Sequence, residues 1–574
     1  MRNWIIQEVD NTPIRDSFGV PVAISKMLLR RGIPEDKIQD FLSCNPKETY
    51  DPFLFENLDA AVRVILEALD TGREIVIYGD YDADGVTATA LLYGVFKNFS
   101  TKVDFYIPSR FVDGYGLNNA ALEKISKKHP NALIVTVDCG STSKDEVEYA
   151  KSIGFDVIVS DHHSFEEART PDCLILNPKK ETNPYPFKDL SGCGVAFKLA
   201  QGIQRICDEK DDNRFTKAQL NELLDLVAIS TIADVVPLVG ENRTLVKYGL
   251  NVINERRRRG LAALFDVLDI DGTISSDNVA YILAPNINAL GRMGTAGLGV
   301  ELLEGSTKSM AELYDLASTM IDNNKARRQE QDRTAKICNE ALAKENCGDY
   351  FLVINAPGAH EGVAGIVAGN LKEQYFRPVF ICTPNEEGVL KGTGRCIPGI
   401  NLHELMAKHS DLFIRFGGHA GACGFSIKAE DFEKLRDVMQ EEVKEILKET
   451  PDALTENLYI EKILEPGEKT LSFAKELQKL EPFGEANAKP IFCIMNAQTR
   501  NLGYMGSESQ HARFFANCSD GTSVPCVLFK RASEYAKLLD SGVNIDVAGE
   551  ITVNEYNGKQ KLQMIVKDIR RSQN

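Results

Sequence analysis

The chain has 574 residues, 43% of them hydrophobic, a size and composition that call for several globular domains. Its 66 lysines and arginines against 83 aspartates and glutamates leave a formal net charge of −17. That excludes indiscriminate adhesion to nucleic acid and allows only a local basic track. No apolar run reaches the length of a membrane span, and the opening MRNWIIQEVDNTP carries charge too early for a secretory leader, so a cytoplasmic protein is expected.

Residues 1–50 read as a helical, peripheral segment, with amphipathic spacing over residues 22–42 and Pro34 at a helix start. Residues 51–270 read as a parallel α/β domain. An apolar strand, IVIY, runs into GDYDADG (residues 79–85), which carries Asp80, Asp82 and Asp84. Carboxylates this close repel one another unless they hold hard cations, which take oxygen ligands. Gly85 is expected to let the backbone turn tightly beneath the metal. A calcium loop is the alternative, but the closing glutamate of an EF-hand is missing.

Two further apolar strands end in ligand chemistry. ALIVTVDCG (residues 132–140) places Asp138 at its tip, and DVIVSDHH (residues 156–163) places Asp161, His162 and His163 there. Helical stretches at 86–99 and 143–153 separate them. Strands alternating with helices imply right-handed crossovers and a parallel sheet, whose strand tips share one ligand-binding edge. Five carboxylates and two histidines would thus converge, a set suited to two divalent ions. Mixed oxygen and imidazole donors favour Mn²⁺ or Mg²⁺, although imidazole also suits zinc. The 13 cysteines form no CxxC pair and read as scattered reduced thiols.

Arg256 to Arg259 read as the basic last turn of a helix with Gly260 as its C-cap, or alternatively as a phosphate patch. Residues 271–347 form a connector with a long helix at 307–346. Its polar stretch, bearing Lys325, Arg327, Arg328 and Arg333, lines a cleft or faces solvent. A smaller α/β domain follows at 348–450. It has glycines beside basic residues in KGTGR (391–395) and GGHAGACG (417–424). These glycines either admit a phosphate to backbone amides or only make tight turns. Residues 451–574 are strand-rich, with one helix near 532–539, and fit an OB-fold that binds single strands by stacking and basic side chains.

GDYDADG, VDCG and DHH, in this order, resemble the DHH phosphoesterases. The resemblance extends to the RecJ single-strand-specific exonucleases through PSRFVDGYGLN (108–118), LDLVAISTIADVVPLVGENR (224–243) and NINALGR (286–292). It continues through HEGVAGIVAGNL (360–371), KGTGR, GGHAGACG, PFGEANAKP (482–490) and NEYNGKQKLQ (554–563). It implies one metal on Asp80, Asp82 and Asp138 and another on Asp84, Asp138, His162 and Asp225, with Asp138 bridging. His163 would face the scissile phosphate and Asp161 would orient the histidines. If residues 223–235 are helical, Asp225 and Asp234 face opposite sides at about 100° per residue, so one alone reaches the metals. The resemblance selects Asp225 and leaves Asp234 a structural acceptor.

Arg395, His419 and His360 would meet phosphate, with Gly392, Thr393, Gly417 and Gly418 giving close backbone approach. Arg110, Tyr115 and Arg292 are further candidates for contacting the strand. The implied function is 5′→3′ digestion of single-stranded DNA to 5′ mononucleotides, in recombination and repair, by a monomer. A single-strand-binding protein and a helicase are the implied partners. The rival readings are a DHH enzyme acting on short oligonucleotides or cyclic dinucleotides, and a non-catalytic strand-binding scaffold. SGCGVAFK (191–198) and CGSTS (139–143) depart slightly from the commonest forms.

Overall fold

The structure is a computed structural model in which residues 2–7, 18–45, 49–109, 116–385, 388–556 and 558–573 are described. Strands Val103–Tyr106, Ile75–Tyr78, Leu133–Val137, Asp156–Ser160 and Leu174–Leu176 lie in that order in an all-parallel sheet. Their runs are almost wholly apolar because both faces are covered. Alternate residues serve opposite cores. Ile75, Ile77, Leu133, Val135 and Val137 pack with helices Leu58–Thr71, Ala83–Lys97 and Gly192–Glu209. Val76, Ile134, Val157 and Val159 pack with helices Asn119–Lys128 and Lys144–Ser152.

Helix Ala83–Lys97 is apolar nearly all round. It is enclosed by Gly192–Glu209, Leu224–Ala233 and Gly297–Glu304, which anchors the metal loop preceding it in the core. Gly85 lies in its first turn and makes no tight turn. A Cβ there would stand 2.4 Å from the Asp80 carbonyl oxygen, so the glycine permits close approach of helix and loop.

Gly260 caps no helix. Helix Gly240–Asn254 ends before the arginines, Arg256 adopts φ 54°, and Arg258 is the N-cap of helix Arg259–Val267. Gly260 therefore sits in a first turn, where a Cβ would come within 1.8 Å of the Leu302 carbonyl oxygen.

Helix Met310–Lys344 opens with a capping box between Ser309 and Glu312. It buries Leu313, Ala317 and Met320 in the first domain's core and Cys338 and Ala341 in that of the second. One rigid rod thus joins the two bodies. The second body has strands Arg415–His419, Ala422–Lys428, Val389–Arg395, Val379–Pro384 and Leu352–Asn355 in that order, with only the last two parallel. The glycine segments are therefore strands. Gly392 and Gly394 leave room for rings, since a Cβ would fall 2.1 Å from Phe425 and 2.6 Å from Phe380 respectively.

In the C-terminal domain, strand Ile491–Met505 pairs with both His511–Asn517 and Ile545–Tyr556. The latter reaches Ser523–Leu528 through Lys559–Arg571, which closes a five-stranded barrel. The described parts of residues 1–50 are not a peripheral appendage to it. Strand Asn3–Ile6 pairs in parallel with Asn457–Ile460, and Ile24, Met27, Leu28 and Ile38 enter the barrel's own core. Apolar helix faces of this size need a partner, and the barrel is the surface that covers them. No described helix is long and apolar enough to cross a membrane.

Candidate metal centre and adjoining basic cavity

Every strand of the central trio delivers its acidic residue to the same sheet edge. Asp80 and Asp82 follow Ile75–Tyr78, Asp138 follows Leu133–Val137, and the DHH triplet follows Asp156–Ser160. Three donor groups result, each with ligand atoms within 4.8 Å of one another: Asp80, Asp82 and Asp138; Asp138, His162 and His163; Asp84, His162 and Asp234. His162 Nε2 stands at the junction, 3.1 Å from Asp138 Oδ1 and 3.6 Å from both Asp84 Oδ2 and Asp234 Oδ2.

The choice of Asp225 is corrected by this geometry. Asp225 lies in the first turn of Leu224–Ala233, where Arg258 grips it with bonds of 2.5 and 2.9 Å. The nine-residue step does reverse the facing direction, but it is the helix C-terminal end that meets the DHH tip. Asp234, at the C-cap, is the residue that faces His162.

Asp161 is saturated and is no ligand. It accepts the backbone N–H groups of Ser141, His162 and His163 and the ring Nδ1–H of His163 at 2.8 Å. Burial would raise its pKa, but these donors and the adjacent imidazole hold it well below the usual carboxylate range. Asp161 thus orients His163 and leaves the His162 ring to the cluster. Burial also works against a charged His163, yet the bond to Asp161 outweighs it and raises His163 to about 9.

Asp84 is held from behind. The backbone N–H groups of Gly192 and Cys193, at the start of the 18-residue helix Gly192–Glu209, donate to it at 2.6 and 2.7 Å. The Ser230 hydroxyl donates at 2.6 Å. A helix N-terminus stabilises an anion placed there. SGCG, which reads in sequence as a minor departure, is this cradle, and a Cβ on Gly192 would lie 2.7 Å from Asp138 Cβ. Asp138 itself adopts φ 61°, an uncommon backbone for a non-glycine residue. Asp82 caps helix Ala83–Lys97 by accepting from Asp84 and Gly85 N–H.

The residues fit divalent ions. Burial first, and then mutual repulsion, push Asp138 well above the usual range, raise Asp82, and lift Asp234 to about 8. Asp138 Oδ1 and both ring nitrogens of His162 are buried, and none has a well-aligned hydrogen-bond partner among the described residues. Buried acceptors left in this state call for a cation.

The connector residues couple this centre to a second site. In helix Ala284–Met293, Asn288 Oδ1 accepts the Ala83 N–H at 2.8 Å, and Gly291 packs on the Tyr81 backbone. The next residue, Arg292, donates to the Gly362 carbonyl at 2.8 Å and lines a cavity of about 410 Å³ in the second domain. Gly392, Thr393, Arg395 and Gly417 line it too, joined by Lys391 and Arg415, which sequence reading passed over. Gly365 makes room for Arg395, whose guanidinium would be 3.0 Å from a Cβ there. Gly418, His419 and His360 are not part of this lining. His360 is the N-cap of helix Glu361–Tyr375, its Nδ1 accepting from Gly362 N–H. Arg110 and Tyr115 lie outside the described residues.

Family comparisons divide the chain as the fold does. The DHH family N-terminal domain matches residues 74–231, the DHHA1 domain residues 348–445, and the RecJ OB domain residues 460–568. The single-stranded-DNA-specific exonuclease RecJ of Bacillus subtilis (strain 168) is 34% identical over 98% of this chain and 70% of its own length. That of Escherichia coli (strain K12) is 31% identical over 89% of this chain and 90% of its own length. The crystal structure of RecJ in complex with Mn²⁺ from Thermus thermophilus superposes with a TM-score of 0.79. It is 27% identical, and the match covers all of this chain and 80% of that one. With relatives 31–34% identical over 89–98% of its length, this chain belongs to the RecJ family of DHH proteins.

Proposed function

We propose that this chain is a metal-dependent exonuclease that digests single-stranded DNA from its 5′ end and releases 5′ mononucleotides. The observation that carries the reading is the convergence of three donor groups on Asp138 and His162 within a chain of this family. Asp80, Asp82 and Asp138 would hold one divalent ion, and Asp84, Asp138, His162 and Asp234 a second, with Asp138 shared. Mn²⁺ or Mg²⁺ suits these oxygen and imidazole donors. Bound there, such ions supply Lewis-acid stabilisation of phosphoryl transfer and an activated water.

The protein's own groups do the rest. His163, oriented by its bond to Asp161, would meet the negative phosphate as an electrostatic or hydrogen-bonding group. Arg292, Arg395 and Arg415 give the second cavity the charge to receive phosphate oxygens, whereas Lys391 is paired at 2.9 Å with Glu361, which also lines it. Helix Ala284–Met293 fixes the spacing between cavity and centre, so a strand held in one presents a defined bond to the other. Exposed Phe515, Phe529 and Tyr504 on the barrel are the candidate stacking surfaces for bases further along. A coated strand makes a single-strand-binding protein and a helicase reasonable partners, in recombination and repair in the cytoplasm, with the enzyme acting as a monomer.

The test is digestion of single-stranded DNA labelled at either end, with Mn²⁺ or with chelator, beside matched duplex and RNA. Immediate metal-dependent release of the 5′ label as a mononucleotide, from single-stranded DNA alone, is expected. Cleavage of only two- to five-nucleotide oligomers would move the function to short substrates.

A further inference from the structure

The tip of the fifth strand, Leu174–Leu176, has no part in the assignments above, although it lies beside the DHH strand on the same sheet edge. It continues as Asn177, Pro178, Lys179 and Lys180. Asn177 is fully buried and pins this turn to the metal centre. Its Nδ2 donates to the His163 carbonyl at 3.0 Å and to Ser141 Oγ at 2.8 Å. Its Oδ1 accepts the backbone N–H of Lys179 at 2.8 Å. Lys179 is thus one hydrogen bond removed from the side chain that grips the DHH tip.

The two lysines then part. Lys180 reaches Glu56 at 2.6 Å, an ordinary ion pair that ties the turn to the chain ahead of helix Leu58–Thr71. Lys179 is half-buried and has no ion pair among the described residues, though the surroundings are rich in carboxylates. Its positive charge lies near enough to act on both His162 and Asp234. Another cation of this domain, Arg258, is committed to Asp225 and the Leu303 carbonyl. A lysine kept for stability would be expected to do what Lys180 does. A lysine without an ion pair, on a turn that Asn177 fixes to the DHH tip, is placed to offer positive charge to an anionic substrate.

We propose that Lys179 is a catalytic residue whose ammonium group binds a non-bridging oxygen of the phosphate being cleaved. This rests on the phosphodiester-hydrolysis reading above. In that reaction a bond forms from the water oxygen to phosphorus and the bond to the departing 3′-oxygen breaks. The hydroxyl of water ends on the new 5′ phosphate and its other proton on the released 3′-oxygen. Lys179 transfers no proton. It offsets charge that grows on the equatorial oxygens, so its contribution is larger in the transition state than in the bound ground state.

The test compares wild type, Lys179→Ala, Lys179→Arg and Lys180→Ala on single-stranded DNA with saturating Mn²⁺, alongside calorimetric titration of each with Mn²⁺ alone. Loss of one such donor should lower kcat on the order of 100-fold, with KM changed by no more than about 3-fold. Lys179→Arg should recover part of that loss. Mn²⁺ binding to Lys179→Ala should be unchanged or tighter, because a like charge has been removed. Lys180→Ala should stay within about 2-fold of wild-type kcat, since it touches no reacting atom. A Lys179→Ala enzyme with kcat within about 3-fold of wild type would overturn the assignment while leaving the exonuclease reading intact. So would a loss of rate matched by weaker Mn²⁺ binding. Wild-type protein that cleaves no phosphodiester with Mn²⁺ would defeat the underlying reading, and the lysine's role with it.

Discussion

Asp225 and Asp234 make the sharpest contrast at the scale of single residues. Asp234→Asn should remove a ligand and reduce exonuclease rate by at least about 100-fold, with the melting temperature retained or raised. Asp225→Ala should instead strand the half-buried Arg258 and cost about 3 kcal/mol of stability, seen as a lower denaturant midpoint. Inactive but stable Asp225→Ala protein, beside active Asp234→Asn protein, would reverse the two roles. The cluster also fixes a pH dependence. Asp82, Asp138 and Asp234 have folded-state pKa values above their ordinary 3.8, Asp234 at about 8, owing to burial and then to neighbouring carboxylates. The folded state therefore binds extra protons, and the stability this gives is complete below the ordinary value and is lost as pH rises towards 8. His163, raised to about 9, acts in the same sense. Asp161 and His162 are both depressed, His162 by burial, and act oppositely, Asp161 at acid pH and His162 below its ordinary 6.5. Between 6.5 and about pH 8 the metal-free protein should become less stable. The rise in melting temperature on adding Mn²⁺ should be larger at about pH 8, and an equal or smaller rise there would argue against ions at these carboxylates. Most of this centre was legible in the sequence, because Asp80, Asp82, Asp84, Asp138 and the DHH triplet each sit directly at the end of an apolar strand. Asp234 was not, because a helix offers both ends of a nine-residue step equally. Only the packing of Leu224–Ala233 against Ala83–Lys97 decides which end meets the histidines.

Helix Ala284–Met293 is the element on which coordination between the two sites depends. Gly291 faces the Tyr81 carbonyl oxygen, where a Cβ would intrude to 2.2 Å, and Arg292 reaches into the second domain. Gly291→Ala should therefore displace the helix from the metal loop at a cost of about 1–3 kcal/mol. It should weaken Mn²⁺ binding and raise KM for DNA together. A variant that changed only one of these would show that the sites are positioned independently. The strands and helices of the parallel domain are foreseeable because hydrophobic period and chain order suffice to specify them. The second domain is less so. Its KGTGR and GGHAGACG segments look like turns, since glycine is rare in strand interiors. Here Gly392 and Gly394 occupy strand Val389–Arg395 because Phe425 and Phe380 fill the space a side chain would take. That requirement comes from a ring 33 residues away in the chain for Gly392, and no local pattern reveals it. Gly260 was misjudged for a related reason, its partner being the backbone of another helix at Leu302.

Across the whole molecule, Arg243 is the fastening between catalytic domain and barrel. Its guanidinium is buried, stacks 3.8 Å from the centroid of Phe41, and donates to the carbonyls of Phe41, Leu480, Pro482 and Glu481. Arg243→Met keeps the bulk and removes the donors, leaving several buried carbonyls unpaired. Each such group costs about 1–3 kcal/mol, so the variant should melt in two steps rather than one, with the barrel separating first. A single transition at the wild-type temperature would show that apolar packing alone holds the parts together. This fastening was not visible in GENR as a string, since its acceptors lie 202 residues upstream, at Phe41, and 237 to 239 residues downstream. The N-terminal strand carries this long-range dependence furthest. Asn3 is 454 residues from its partner Asn457, and the helices after it complete the barrel's core. During synthesis at about 5–20 residues per second, that opening segment waits roughly 25–90 s for the surface it covers. Its apolar faces stay exposed throughout that interval, so the first part of the chain to be made is among the last to fold. A nascent chain halted near residue 450 should bind hydrophobic-surface chaperones through residues 18–45, and release should follow only once the barrel strands have emerged.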